Sequence, residues 1–195
     1  MADPLVKDES YYRNLARRNY FSQRVLHSQE WFDNANSLML AMRLIEPSIQ
    51  SYWAILRKHE GFSEETPEYE CHLIFLMLAG YAIENVCKGF LVTSLSDEEA
   101  AAVKSGKYPR RLATHNIPEL VKWAGLEADE IEKNLLLRIQ APVVWRGRYP
   151  APRSGDEILP SIQAGSDVRR INKFLMKLRR HVGAKSSYEV SDSRL

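Results

Sequence analysis

Apolar residues recur every three or four positions along most of this chain, which is the spacing of one helix face. The first such stretch runs from about 28 to 60, and Pro47 inside it predicts a kinked or divided helix. A second stretch runs from about 66 to 95 and opens with Pro67, a residue suited to the first helical turn. Its part from Leu73 to Ala79 is apolar on all sides, as expected for the central helix of a bundle.

Capping signals predict further helices after residue 95. Ser96 and Glu99 have the spacing of a capping box, and Asn116 precedes a proline and a glutamate as an N-cap residue does. Two more apolar-periodic stretches cover about 128–140 and 166–182. No stretch reads convincingly as a strand. The pattern therefore predicts an all-α fold, an up-and-down helical bundle of about five main helices.

The length of 195 residues fits one domain with tails. We expect a polar N-terminal arm at 1–26, the helical bundle at 27–183 and a disordered polar tail at 184–195. The arm either docks on the bundle or on a partner, or it is a frayed end.

The formal net charge is only +2, so the distribution of charge along the chain says more than its total. The segment 169–185 contains seven basic residues and no acidic one, and a second basic group lies at 104–111. Such asymmetry is compatible with a polyanionic partner, and it is equally typical of a solvated helix face.

The two cysteines and the longest apolar stretch indicate the cellular environment of the chain. If Cys71 and Cys87 share one helix, they lie about 24 Å apart and cannot form a disulfide. A reducing, cytoplasmic location is the simplest interpretation. The apolar stretch Cys71–Ile83 is shorter than the ~18–20 residues needed to cross a bilayer, so no membrane span is predicted. No spacing typical of a zinc site or a phosphate-binding loop occurs, so no metal or cofactor is predicted.

The central helix acquires polar residues in its second half. Glu84 and Lys88 are one turn apart, with the acid first, which is the favourable order for a helical ion pair. Because this helix is otherwise apolar, we expect both charges to need partners, and His115, Arg146 and Arg148 are the candidates. A buried structural network and a polar pocket both remain open.

Two other positions carry candidate chemistry. His115 directly precedes the N-cap of a helix, where it could act as a base or simply cover Leu120. Arg146, Arg148 and Tyr149 lie with a tryptophan in a segment rich in proline and glycine. Such a mixture either stacks bases and holds phosphate or pins the loop by cation–π packing.

The order of these elements resembles HEPN-like domains, helical bundles found in nucleases and toxin–antitoxin pairs. Three segments carry the resemblance: the amphipathic Trp31–Leu44, the A-x-E-x-x-x-K pattern within Ala79–Gly89, and the H-[DN]-[LI] helix start within Thr114–Leu120. Val144–Pro150 is similar to a segment that follows these helices in other members. The resemblance implies a helical bundle, RNA-related activity and a homodimer.

The chain departs from the nuclease members of that family. They carry an arginine followed four to six residues later by a histidine, near the start of a late helix. Here the only histidine after Gly147 is His181, and no arginine precedes it at that distance. Arg110 precedes His115 by five residues, but the composition alone gives roughly one such pair by chance.

Three functions follow as hypotheses. The first is a module that binds RNA, a nucleotide or a protein partner without robust catalysis, through Glu84, Lys88, Arg146, Arg148 and Tyr149. The second is a metal-independent ribonuclease that uses His115 as base or acid, with Arg110, Arg146 or Arg148 stabilising the phosphate. The third is a structural or adaptor protein with an exposed apolar face for a partner helix.

Overall fold

The structure, a computed structural model, describes residues 9–67, 71–146 and 166–185, and only the backbone of Trp145 and Arg146. Within these ranges the chain forms eight α-helices, one π-helical turn and no strand. The all-α prediction is confirmed. The described ranges contain eight helices where the sequence predicted about five main ones.

The first helix, α1, spans Glu9–Leu26 within the predicted arm. Only its C-terminal part packs on the bundle: Val25 is buried, and the Phe21 ring meets Tyr108 edge to face with centroids 5.0 Å apart. Its first three turns are exposed on all sides. The arm is thus a docked helix in its second half.

Helix α2 spans Ser28–Lys58 without interruption. The residue before it, His27, has an extended backbone, so Ser28 is the first helical residue and not the cap. Pro47 does not divide the helix. Proline removes one backbone hydrogen bond, but Pro47 and Arg43, whose carbonyl loses its partner, are both on the exposed side. Water can therefore solvate the freed carbonyl.

Helix α3 spans His72–Val92 and begins five residues later than Pro67, so the predicted start was wrong. The backbone at Thr66 instead closes a turn onto the Ser63 carbonyl, and its hydroxyl accepts a bond from the Ser63 amide. Such local bonds compete with helix formation. By length and composition α3 alone among the described helices could cross a membrane, but 61% of its apolar window is buried in the fold. This burial is consistent with a soluble protein.

Three short helices follow: α4 (Asp97–Lys104), α5 (Arg110–Ala113) and α6 (Ile117–Trp123). The predicted capping box of α4 is confirmed by reciprocal bonds between Ser96 and Glu99. The predicted cap of α6 is confirmed too, because the Asn116 side chain accepts a hydrogen bond from the Glu119 amide.

The remaining elements are α7 (Glu130–Ala141), the π-helical turn Pro142–Arg146 and α8 (Asp167–Lys185). Helix α7 and the π-helical turn lie directly against α3 at Gly80. A Cβ atom there would fall 2.1 Å from Val143 Cγ2 and 2.8 Å from Ile139 Cγ2. Only glycine lets the side chains of Val143 and Ile139 come this close to the backbone of α3.

The central position belongs to α3. It packs along α2, and its other sides contact α5, α6, α7, the π-helical turn and α8. Buried apolar side chains from α2, α3, α6, α7 and α8 form one core. This arrangement puts every polar side chain on the inner faces of α3 in a setting where it needs a partner.

Candidate functional site

Glu84 and Lys88 form a buried ion pair on α3. Their side chains are 7% and 4% exposed, and Lys88 Nζ donates to Glu84 Oε1 at 2.7 Å. Burying two charges is costly unless they pair closely and satisfy their remaining hydrogen-bonding atoms. The pair therefore requires further partners, as the sequence predicted.

His115 is the partner on the open side. Its Nδ1 lies 3.0 Å from both carboxylate oxygens of Glu84. A carboxylate only accepts, so Nδ1 carries the proton. Nε2 is left without a protein partner in the described ranges, and 63% of the side chain is exposed. We call Glu84, Lys88 and His115 the open cluster.

The backbone of the turn that carries His115 is fixed by hydrogen bonds with two side chains, one from the turn itself and one from α7. The Thr114 hydroxyl accepts a bond from the Asn116 amide, which fixes the entry to α6. From α7, Gln140 Nε2 donates to the His115 carbonyl at 3.0 Å and its Oε1 accepts from the Ile117 amide at 2.7 Å. Because each backbone group has a single role, the orientation of this side-chain amide is unambiguous. The histidine ring is thus fixed by backbone bonds as well as by Glu84.

The surroundings of the ion pair limit its chemistry. The Lys88 ammonium lies 5.9 Å from the centre of the Trp31 ring, a distance suited to cation–π attraction. Cys87 lies beside Lys88 in the chain, and burial together with the Glu84 charge raises the pKa of its thiol well above the usual range. A protonated thiol is a poor nucleophile. Because Glu84 and Lys88 are buried, His115 is the member of the open cluster that is exposed to solvent.

Arg110, the predicted partner of His115 in catalysis, is exposed and makes no hydrogen bond or ion pair in the described part of the chain. Arg111 also precedes His115 at the spacing seen in the nuclease members. Its guanidinium donates to both oxygens of Glu99, at 2.9 and 2.7 Å, and to the Ser94 carbonyl. Arg111 is therefore committed to α4, whereas Arg110 is free to meet a ligand.

Three predicted binding residues lie beyond the side chains that the structure describes. Arg146 is described by its backbone alone, and Arg148 and Tyr149 lie outside the described residues. The structure brings Glu84, Lys88 and His115 together, and Arg110 lies one short helix away from His115.

The basic residues of α8 form a row on its outer face. Arg169, Lys173 and Arg180 are exposed and have no ion pair within the described ranges. Steps of four and seven residues put them on one side of the helix, over about 16 Å. We call these three residues the α8 row. Lys177 lies beside it but donates to Glu132 at 2.6 Å.

The open cluster and α8 lie on opposite sides of α3. Val86 lines a small cavity with Arg179 and Val182 of α8. Glu84, two positions earlier and therefore about 200° around the helix, faces His115. Within one chain, a ligand on α8 is thus separated from His115 by the central helix.

No family model, curated protein or solved structure matches this chain. The resemblance to HEPN-like domains therefore depends on the sequence segments alone. In the fold, two of those segments meet, because the glutamate and lysine of A-x-E-x-x-x-K contact the histidine of H-[DN]-[LI].

A second charged cluster was missed in the sequence. His72, at the start of α3, accepts a hydrogen bond on Nδ1 from Trp53 at 3.4 Å, and its Nε2 lies 3.6 Å from Asp167 Oδ2. Arg138 donates to Asp167 Oδ1 at 2.5 Å. His72 and Asp167 are fully buried. We call these four residues the closed cluster. The residues that contact each other in it are 19, 29 and 95 positions apart in the chain, so no local pattern could have revealed it.

Proposed function

We propose that this chain is an HEPN-like helical module that binds RNA in the cytoplasm. The observation that carries the proposal is the α8 row, three exposed cations on one helix face without acidic partners in the described ranges. A polyanion neutralises such a row and releases counterions, which makes binding salt-dependent.

The test is the salt dependence of affinity for a labelled single-stranded RNA. The slope of log affinity against log salt is negative, and each lost phosphate contact makes it shallower by about 0.7 for single strands. Changing Arg169, Lys173 and Arg180 together to alanine should therefore reduce the magnitude of the slope by about 2 and weaken binding at low salt. The scattered, exposed Arg43, Arg57 and Lys122, changed together to alanine, remove the same charge and serve as the control.

Equal losses in the two triple variants would mean that overall charge, and not the α8 row, governs binding. No binding of the unmodified protein at low salt would overturn the proposal.

A metal-independent ribonuclease is the second candidate, and the orientation of His115 favours it. Glu84 holds the ring through Nδ1, so Nε2 is the nitrogen that can accept a proton. In this mechanism Nε2 takes the proton of an RNA 2′-hydroxyl, whose oxygen then attacks the adjacent phosphorus. The bond from phosphorus to the 5′-oxygen breaks, which leaves a 2′,3′-cyclic phosphate on one product, and the departing 5′-oxygen takes a proton from water to become a hydroxyl. Arg110 would stabilise the negative charge that develops on the phosphate.

Labelled RNA in EDTA separates the two candidates. Cleavage that is lost in His115→Ala and weakened in Arg110→Ala would support the ribonuclease. Arg111→Ala is a matched control, because that arginine is bound to Glu99. Binding without cleavage would support the non-catalytic module.

A homodimer, which the resemblance implies, is also part of the proposal. Leu40 and Leu44 of α2 are exposed apolar side chains that a second copy would cover. Light scattering after gel filtration should then give twice the monomer mass, and Leu44→Ser should reduce it. A monomer at high protein concentration would remove dimerisation from the proposal.

A further inference from the structure

A groove of about 790 Å³ runs between α6 and α7. Its lining includes no residue of the open cluster or of the α8 row. Six apolar residues contribute to its lining: Pro118, Val121, Leu126, Ala128, Leu136 and Leu137. Its volume lies within the range of small-molecule sites, which are mostly apolar with a few polar groups.

The groove exists because the chain reverses abruptly after α6. Gly125 has a φ of 72°, and the Leu126 amide returns to the Val121 carbonyl. The left-handed backbone at Gly125 favours glycine. The chain then runs to the capping box of α7 at Asp129, and the groove lies along the surface where α6, this turn and α7 meet. Val121 and Leu136 form a buried floor, whereas Leu137 is 57% exposed at the edge.

Two lysines and one glutamate are the charged residues that line this apolar surface. Lys122 and Lys133 line the groove. Gly125 lines it too, and Lys185 Nζ lies 3.4 Å from the point that a Cβ atom would occupy at Gly125. Glu127 is the acidic residue in the lining. Lys133 is already paired with Glu130, but Lys122 has no ion pair in the described ranges. An apolar ligand with one negative end matches this distribution, because its tail covers the floor and its charge meets a lysine.

We propose that the α6–α7 groove binds a linear apolar carboxylate, with the acyl chain along Val121 and Leu136 and the carboxylate at Lys122. Decanoate is the probe and decanol is its uncharged control. We expect saturable shifts of backbone amide resonances confined to α6, α7 and the turn that joins them. Since an exposed ion pair contributes up to about 1 kcal/mol, decanoate should bind about fivefold more tightly than decanol.

Variants separate the charge from the apolar surface. Lys122→Ala should abolish the preference for decanoate over decanol, and Lys104→Ala, an exposed lysine outside the groove, should keep it. Leu137→Asn should weaken both ligands severalfold, and since this side chain is exposed the fold should tolerate the change.

The proposal would be overturned by a lack of saturation, by equal affinity for decanol and decanoate, or by resonance shifts beyond α6, α7 and the turn that joins them. Self-association that Leu137→Asn removes would also overturn it, since a second copy would then occupy the groove. RNA binding through the α8 row does not involve the groove, so the two proposals fail independently.

Discussion

Helix α3 contributes to two histidine–carboxylate clusters, and the difference with the greatest consequence is their access to water. In the closed cluster the histidine belongs to α3 and the carboxylate to α8, and both are fully buried. In the open cluster the carboxylate belongs to α3, and the histidine comes from the turn before α6 with most of its ring exposed. The closed cluster joins four helices, whereas the open cluster presents one ring nitrogen to solvent.

This difference decides what each cluster can do. A buried histidine between tryptophan and aspartate cannot exchange protons with a ligand, so the closed cluster has a structural role in seating α8. A histidine held by a buried carboxylate and open to solvent has the arrangement that a proton acceptor needs. Having a histidine beside a carboxylate is therefore not enough to identify a site.

The largest effect is expected in the closed cluster. Asp167→Asn removes the charge that faces both Arg138 and His72, and should lower the free energy of unfolding by about 3 kcal/mol. Urea denaturation followed by circular dichroism measures this. Glu98→Gln, an exposed acid on α4, should change stability by less than about 0.5 kcal/mol. A loss below about 1 kcal/mol for Asp167→Asn would show that α8 is held mainly by its apolar face.

A smaller loss is expected in the open cluster. Glu84→Gln leaves the Lys88 ammonium buried without a counter-charge and should cost about 2 kcal/mol, since water can enter beside His115. The double variant with Glu84→Gln and Lys88→Met removes both charges and should recover most of that loss. Strictly additive effects of the two changes in urea denaturation would show that the pair is not coupled.

The smallest effect is expected at a third carboxylate, that of Glu99. Its side chain is more exposed than the carboxylates of the two clusters. Hydrogen bonds from Arg111 lower the pKa of Glu99 to about 2, below the value of about 4.3 for an unfolded glutamate. The pair's contribution is therefore complete above about pH 5 and is lost as the pH falls toward 2.

Arg111→Ala should cost about 1 kcal/mol at pH 7, because both side chains are partly solvated. The difference from the unmodified protein should shrink as the pH falls from 4 toward 2. A difference that stays constant over this range would mean that Arg111 acts through packing and not through the Glu99 charge.

Local signals accounted for the elements that the sequence predicted well. The capping residues Ser96 and Asn116 act within three residues of themselves, so their patterns are readable without the fold. The contact between His115 and Glu84 was also predictable in kind, because a charge within an apolar helix requires a partner.

Long-range contacts account for what the sequence did not predict. Nothing near His72 indicates that Asp167, which lies 95 residues later, will face it. Gln140 likewise gives no signal in its own helix, although it fixes the backbone on both sides of Asn116. The late start of α3 has a different cause, since the turn at Ser63–Thr66 uses backbone and hydroxyl groups that a helix would have required.

The Gln140 amide joins α7 to the His115 turn. One side chain holds the carbonyl of His115 and the amide of Ile117, so the position of the histidine backbone is set by α7 as well as by the core. Helix α7 is also one wall of the groove that it shares with α6. The groove and the His115 turn therefore share one supporting helix, although they lie at different places on it.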